Sequence, residues 1–160
     1  MAEINQLLIN YYKKEEMKKV KKMMEEKLKV GKILENVNTQ NSVWNIKTDD
    51  IIKSDGTYLF AKESYKDKEF KSIIGNNNYY LIFVDIECYP NYNFTNIYNY
   101  QDFINSDCYL LIIIVDNIFV DIYAKSKEII NKLKENAIKH NFNDIKIISD
   151  LQDKRNTFFI

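Results

Sequence analysis

The sharpest change of polarity in the chain falls within "CYLLIIIVDNIFVDIYAK", Cys108 to Lys125. Tyr109 to Val115 is an unbroken apolar run, so both faces of that strand need cover. Such a strand belongs in the middle of a sheet, because at an edge it would template aggregation. Asp116-Asn117 then predicts a two-residue hairpin turn, since Asp and Asn tolerate the left-handed conformation such turns use. The returning strand, Ile118–Tyr123, alternates Ile118, Val120 and Ile122 against Phe119, Asp121 and Tyr123, so its second face is only partly buried.

The same reading extends outward from this hairpin. "YYLIFVDIEC", Tyr79 to Cys88, predicts one strand with Tyr80, Ile82, Val84, Ile86 and Cys88 on one face. Tyr79, Leu81, Phe83, Asp85 and Glu87 lie on the other, as if the strand leaves the core at its C-terminal end. Tyr89-Pro90 stops it. Short strands are expected at Val43–Lys47 and Thr57–Ala61, the second after an Asp55-Gly56 turn. Residues 66–74 predict a helix closed by Gly75 as its C-cap. Residues 100–105 suit a short helical turn. Ser126 caps a helix to about Lys139 whose stripe is Ile129, Ile130, Leu133, Ala137 and Ile138. Ile145–Ser149 is a last strand, with a turn over 150–155, and strand–helix–strand order suggests one right-handed crossover.

At the N-terminus Met17, Val20, Met24 and Leu28 step by three or four, predicting a helix over residues 3–37. Val30, Leu34 and Val37 carry the stripe past Gly31. The Lys and Glu between them read as a solvated face rather than a basic patch, although a dimerising coiled coil uses the same pattern. The expected architecture is therefore α/β (α+β). It has a single mixed, mainly antiparallel sheet with a central hairpin, helices packed on it and a long N-terminal helix. Residues 1–160 are expected to form one domain, with 3–37 as a helical segment and 42–155 as the core.

Composition narrows the function classes. The 23 Lys and Arg balance 23 Asp and Glu, so no global field draws the chain to nucleic acid or anionic lipid. No stretch reaches the roughly 18 apolar residues of a spanning helix, and "MAEINQLLINYY" lacks a signal peptide's basic start. Cys88 and Cys108 read as free thiols in a reducing compartment. There is no phosphate-binding glycine motif, and a lone His140 does not make a zinc site. Cys88 paired with His140 would be a nucleophile; a buried thiol is the plainer reading.

Two constellations carry candidate chemistry. Asp85 and Glu87 share a strand face, Asp121 lies on a neighbouring strand, and Lys146 follows Asp144. Carboxylates with a lysine are what a Mg²⁺-dependent phosphodiesterase uses, though acids at strand ends are commonly just solvated. The other feature is a stretch without Lys, Arg or His from Asn76 to Tyr123, containing Asp85, Glu87, Asp102, Asp107, Asp116 and Asp121. Tyr89, Tyr92, Tyr98 and Tyr100 lie in or beside its loop. Tyr is enriched and Lys depleted at protein interfaces. An acidic surface of this kind suits a basic protein and repels phosphate, which disfavours nucleic acid as its ligand.

"EFKSIIGNNNYYLIFVDIECYP", "YQDFINSDCYLLIIIVDNIFVDIYAKSKEIINKL" and "NFNDIKIISDLQDKR" resemble, in order and spacing, a bacterial family catalogued as domain-of-unknown-function family 2691. The likeness covers Trp44 to Arg155 and rests on apolar and turn residues, not a catalytic signature. Members of that family begin with a strand-like segment, whereas this chain is expected to begin with a Lys/Glu helix. The resemblance implies a cytoplasmic immunity protein, an antitoxin that neutralises a cognate secreted toxin, often a nuclease. The expected function is thus stoichiometric protein binding, with no reaction, no cofactor and no metal, by a monomer or dimer that binds neither nucleic acid nor membrane. The expected contact residues are Asp85, Glu87, Tyr89, Tyr92, Tyr98, Tyr100, Asp102 and Asp107. The rival is a metal-dependent nuclease on Asp85, Glu87, Asp121 and Lys146. A third reading is an adaptor that oligomerises through residues 3–37.

Overall fold

A computed structural model describes residues 5–10, 29–48, 50–76 and 78–149. Along them run β1 (Asn5–Asn10), α1 (Val30–Ile33), β2 (Val43–Ile46), β3 (Ile51–Lys53), β4 (Ser64–Lys66) and α2 (Asp67–Asn76). There follow β5 (Tyr79–Leu81), β6 (Phe83–Tyr89), α3 (Tyr100–Asn105), β7 (Leu110–Val115), β8 (Phe119–Ala124), α4 (Lys127–Lys139) and β9 (Asn143–Ser149).

The main sheet has seven strands in the order β4-β2-β6-β7-β8-β1-β9, and β3 pairs with β5 in a small second sheet. Every pairing among the described residues is antiparallel. The apolar strand β7 is the middle strand, as its two-faced pattern demands. Val84, Ile86, Leu110, Ile112, Ile114, Val120 and Ile122 build one core with Trp44 and the helices α1, α2 and α4. On the other face Leu111, Ile113 and Tyr123 build a second core with Tyr89, Ile97, Phe103 and Cys108. Alternate residues of one strand thus feed two cores.

At the hairpin Asp116 and Asn117 both take positive φ, 52° and 56°, and the Ile118 N–H donates to the Val115 carbonyl. Pairing resumes at Val115 with Phe119, so Ile118 belongs to the turn, not to the strand expected there. Ser126 caps α4 by accepting from the Ile129 N–H. Ile129, Ile130, Leu133 and Ala137 are buried, whereas Ile138 is exposed and Asn136 is buried instead. β8 and β9 both run antiparallel to β1, so they are parallel to each other, and α4 makes the crossover between them.

Several expectations are corrected. Asn5–Asn10 is a strand of the main sheet, not the start of a helix over 3–37. Its two neighbours lie more than a hundred residues away, so no local pattern announces it. Met17, Val20, Met24 and Leu28 lie outside the described residues. Val30, Leu34 and Val37 are buried as the stripe implied, but the helix there ends at Ile33. Residues 57–61 make only an isolated bridge, Tyr58 to Ile52, because Ala61 and Lys62 turn to donate to the Tyr65 hydroxyl. Gly75 lies inside α2 without a positive φ, and the Tyr79 hydroxyl donates to the Ile74 carbonyl at 3.0 Å in place of a glycine cap. The glycine that matters for packing is Gly31, where a Cβ would stand 3.1 Å from the Ile74 carbonyl oxygen.

The strand expected over 79–88 is two strands in two sheets, broken at Ile82. Tyr79 and Leu81 join Val84, Ile86 and Cys88 in one core although they are odd-numbered, and after the break every residue from Val84 to Tyr89 is buried because both faces of β6 are covered. The strand end therefore stays inside instead of emerging. The turn expected over 150–155 lies outside the described residues.

Candidate partner-binding face

The sheet's second face carries the candidate residues. Register sets Glu87 opposite Leu111 and Asp85 opposite Ile113, with Asp121 on the far side of Ile113. The next strands continue the row through Leu8 to Lys146. Asp85, Glu87, Asp121 and Lys146 thus belong to the same side of one sheet, as the phosphodiesterase reading supposed. Asp85 and Glu87 are 4% and 0% exposed, however, so neither meets a substrate at the surface. Among the described residues no group of three His, Cys, Asp or Glu is placed to hold a metal ion.

Glu87 Oε2 accepts hydrogen bonds from the Tyr89 hydroxyl at 2.8 Å and from Asn45 Nδ2 at 3.2 Å. Glu87 Oε1 and Asp85 Oδ1 have no hydrogen-bond partner. Burial pushes the Asp85 carboxyl up to about 7; the Glu87 charge adds to this and Lys47 opposes it. Burial also raises Glu87, against the pull of the Tyr89 hydroxyl, Lys47 and Asn45. The Tyr89 hydroxyl is pushed well above its ordinary range by burial and by Glu87.

Tyr89 also anchors the covering loop. Its hydroxyl lies 3.2 Å from the Thr95 carbonyl oxygen, and its ring meets Phe94 edge-on with centroids 5.0 Å apart. Ile97 and Phe103 plug the loop into the second core. Asn91 Oδ1 accepts from the Asn93 N–H at 2.9 Å, and Asn93 Nδ2 donates to Asp107 Oδ2 at 3.1 Å. Asn99 caps α3 through the Asp102 N–H, while the Asp102 carboxylate accepts from the Tyr98 N–H, each at 2.9 Å. Lys125 Nζ donates to the Ile104 and Ser106 carbonyls and lies 5.2 Å from the Phe103 ring centroid.

The contact residues expected from sequence therefore separate. Tyr92 and Tyr98 are 58% and 60% exposed, and Asp107 is exposed as well. Asp102 and Tyr100 are half-buried, the latter with its ring 6.0 Å from that of Tyr123. Asp85, Glu87 and Tyr89 are interior and present nothing to a partner, which corrects their placement on an exposed margin. Nor is the surface free of lysine in space. Lys47 Nζ donates to Asn96 Oδ1 at 3.4 Å, and Lys66, Lys68 and Lys71 share a groove with Pro90, Asn91 and Tyr92. Nothing in the sequence marks these lysines, since Lys-Asp-Lys is ordinary surface polarity until Pro90 and Tyr92 fold against the same groove.

The remaining candidates are structural. His140 Nε2 lies 2.9 Å from Glu35 Oε2, which Lys139 Nζ also reaches. The Cys88 thiol donates to the Tyr109 hydroxyl at 3.2 Å, and burial pushes it up to about 12. Cys108 is buried and raised well above its ordinary value, so neither sulfur is a thiolate near neutrality. No helix among the described residues is long and apolar enough to cross a membrane.

Residues 19–159 match a family described as protein of unknown function, DUF2691. An uncharacterised protein, YncE of Bacillus subtilis (strain 168), is 35% identical over 136 residues, which is 81% of this chain and 88% of that protein. No solved structure matches the chain.

Proposed function

The chain belongs to the DUF2691 family, and from that premise and the loop geometry we propose that it is an immunity protein. In this reading it works in the cytoplasm by binding and neutralising a cognate secreted bacterial toxin, with no reaction of its own. The supporting observation is the pairing of exposure with rigidity in the loop after β6. Tyr92 and Tyr98 stand more than half exposed on a segment pinned at Asn91, Asn93, Thr95, Asp102 and Asp107. Large aromatic side chains held in place before contact lose little entropy on binding, which is why such residues dominate interface energies.

We propose a nuclease as the toxin class. A nuclease holds phosphate in a basic groove, and Asp107 with Asp102 offers carboxylates to such a groove beside Tyr98. The rival metal-dependent phosphodiesterase on Asp85, Glu87, Asp121 and Lys146 draws less support, because Asp85 and Glu87 are enclosed.

The test is co-expression of the chain with each product of the adjacent reading frames. A lethal neighbour rescued by the native chain, with rescue lost in Tyr92→Ala/Tyr98→Ala that still folds, is the expected result. A lethal neighbour that stays fully lethal, or a double variant that protects as well as the native chain, removes the proposal. Mg²⁺- or Mn²⁺-dependent cleavage of nucleic acid by the purified chain would favour the rival.

A further inference from the structure

We infer that the groove between the start of α2 and the loop after β6 is a docking site for an acidic polypeptide segment. The inference rests on the protein-binding reading above and reverses the charge expected at one end of the surface. The groove has a volume of about 810 Å³ and is walled by Asn41, Lys66, Lys68, Lys71, Pro90 and Tyr92. That is in the size range of ligand clefts, roughly 300–1,000 Å³.

Its charge follows from who is already occupied. Asp67, the carboxylate in the groove, is nearly buried and spent: Oδ1 accepts from Thr39 Oγ1 at 2.6 Å and from Trp44 Nε1 at 2.9 Å. Lys71 Nζ lies 3.3 Å from Asp67 Oδ2 and donates to the Val37 carbonyl at 2.9 Å, so it serves the fold. Lys66 and Lys68 are exposed, and neither has an ion-pair partner among the described residues. The groove thus offers two uncommitted ammonium groups facing an aromatic and proline wall, with asparagine amides able to pair with a peptide backbone.

This chemistry fits Asp or Glu side chains on a chain that also packs against Tyr92. It fits nucleic acid less well, because two free lysines are a short track for a phosphate backbone and the chain carries no excess of basic residues. The sequence stretch without lysine is therefore not a uniformly acidic surface. Asp107 pairs with Asn93, next in sequence to Tyr92, while Lys66 and Lys68 line the groove that Tyr92 also lines.

A dodecapeptide display library selected against the immobilised full chain tests the site directly. The expected outcome is enrichment of Asp/Glu-rich peptides whose binding falls about tenfold in Lys66→Glu/Lys68→Glu. The charge control Lys32→Glu/Lys134→Glu, on exposed helix positions elsewhere, should change it less than about twofold. Neutral or basic peptides, no enrichment, or equal loss in both variants would overturn the inference. So would displacement of the peptides by a short DNA duplex at a lower concentration than by free acidic peptide. Failure here is separable from failure of the immunity reading. A Lys66→Glu/Lys68→Glu chain that still protects against the toxin, while Tyr92→Ala/Tyr98→Ala does not, sinks the groove alone. Acidic peptides held by Lys66 and Lys68, with no neighbouring product neutralised, sinks the immunity role alone.

Discussion

The Tyr89 hydroxyl donates to Glu87 Oε2 at 2.8 Å, linking two residues two places apart on β6 that share the sheet's second face. The same hydroxyl reaches the Thr95 carbonyl. One phenol therefore supports a carboxylate with no solvent contact and fixes the loop that shields it. Stability of the interior and order of the exposed loop are coupled through this group.

Tyr89→Phe keeps the ring and removes that coupling. Loss of this buried hydrogen bond should cost about 1–3 kcal/mol in urea denaturation. Amide exchange over residues 93–99 should quicken by more than it does in α4. Uniform quickening across the chain would show that the hydroxyl stabilises the fold without singling out the loop.

The pH dependence should run opposite to ordinary acid denaturation. Asp85 titrates near 7 in the folded chain against an ordinary value of 3.8, so the native state holds a proton that the unfolded state releases. The stability this supplies is fully present below the ordinary value and is lost as pH rises through about 7. Asp85→Asn, which mimics the neutral acid, should raise stability at pH 8 by up to about 4 kcal/mol and change it little near pH 4. Equal effects of the substitution at both pH values would show that Asp85 ionises in the fold as freely as outside it.

Asn136 should prove more important than its place on a helix stripe suggests. It is buried, and its Nδ2 donates to the carbonyls of Ile33 and Glu35, both at 2.8 Å. Those carbonyls lie at and just beyond the end of α1. Asn136→Ala should cost about 2–4 kcal/mol, and Asn136→Leu should restore little of it because the loss is of donors, not volume. Recovery by leucine, read as the denaturation midpoint, would assign the effect to packing.

Much of the fold is readable from residue order. Tyr109–Val115 has no polar face, so only a central strand satisfies it, and Asp116-Asn117 is a pair that accepts two left-handed residues in succession. Ser126 announces its helix by side-chain chemistry that acts over three residues. What was not readable depends on partners distant in the chain. Asn5–Asn10 becomes a strand only by lying between β8 and β9. Alternation through residues 79–88 is disrupted at Ile82, whose N–H donates to the Asp50 carbonyl just before β3 while its own carbonyl accepts from the Asp116 N–H just after β7. Asp85 and Glu87 do lie on the second face, but alternation within one strand does not show that Ile97 and Phe103, from the segment after β6, close a second core over it. Lys66 and Lys68 acquire meaning only when Pro90 and Tyr92 are folded opposite them.

The position of β1 has a further consequence, for synthesis. Ribosomes deliver residues 5–10 more than a hundred residues before β8 and β9, yet they fill the gap beside β8 onto which residues 143–149 attach. Deletion of residues 5–10 should thus orphan β9, and the emerging chain must keep those six residues unpaired until translation of the β8 region is complete.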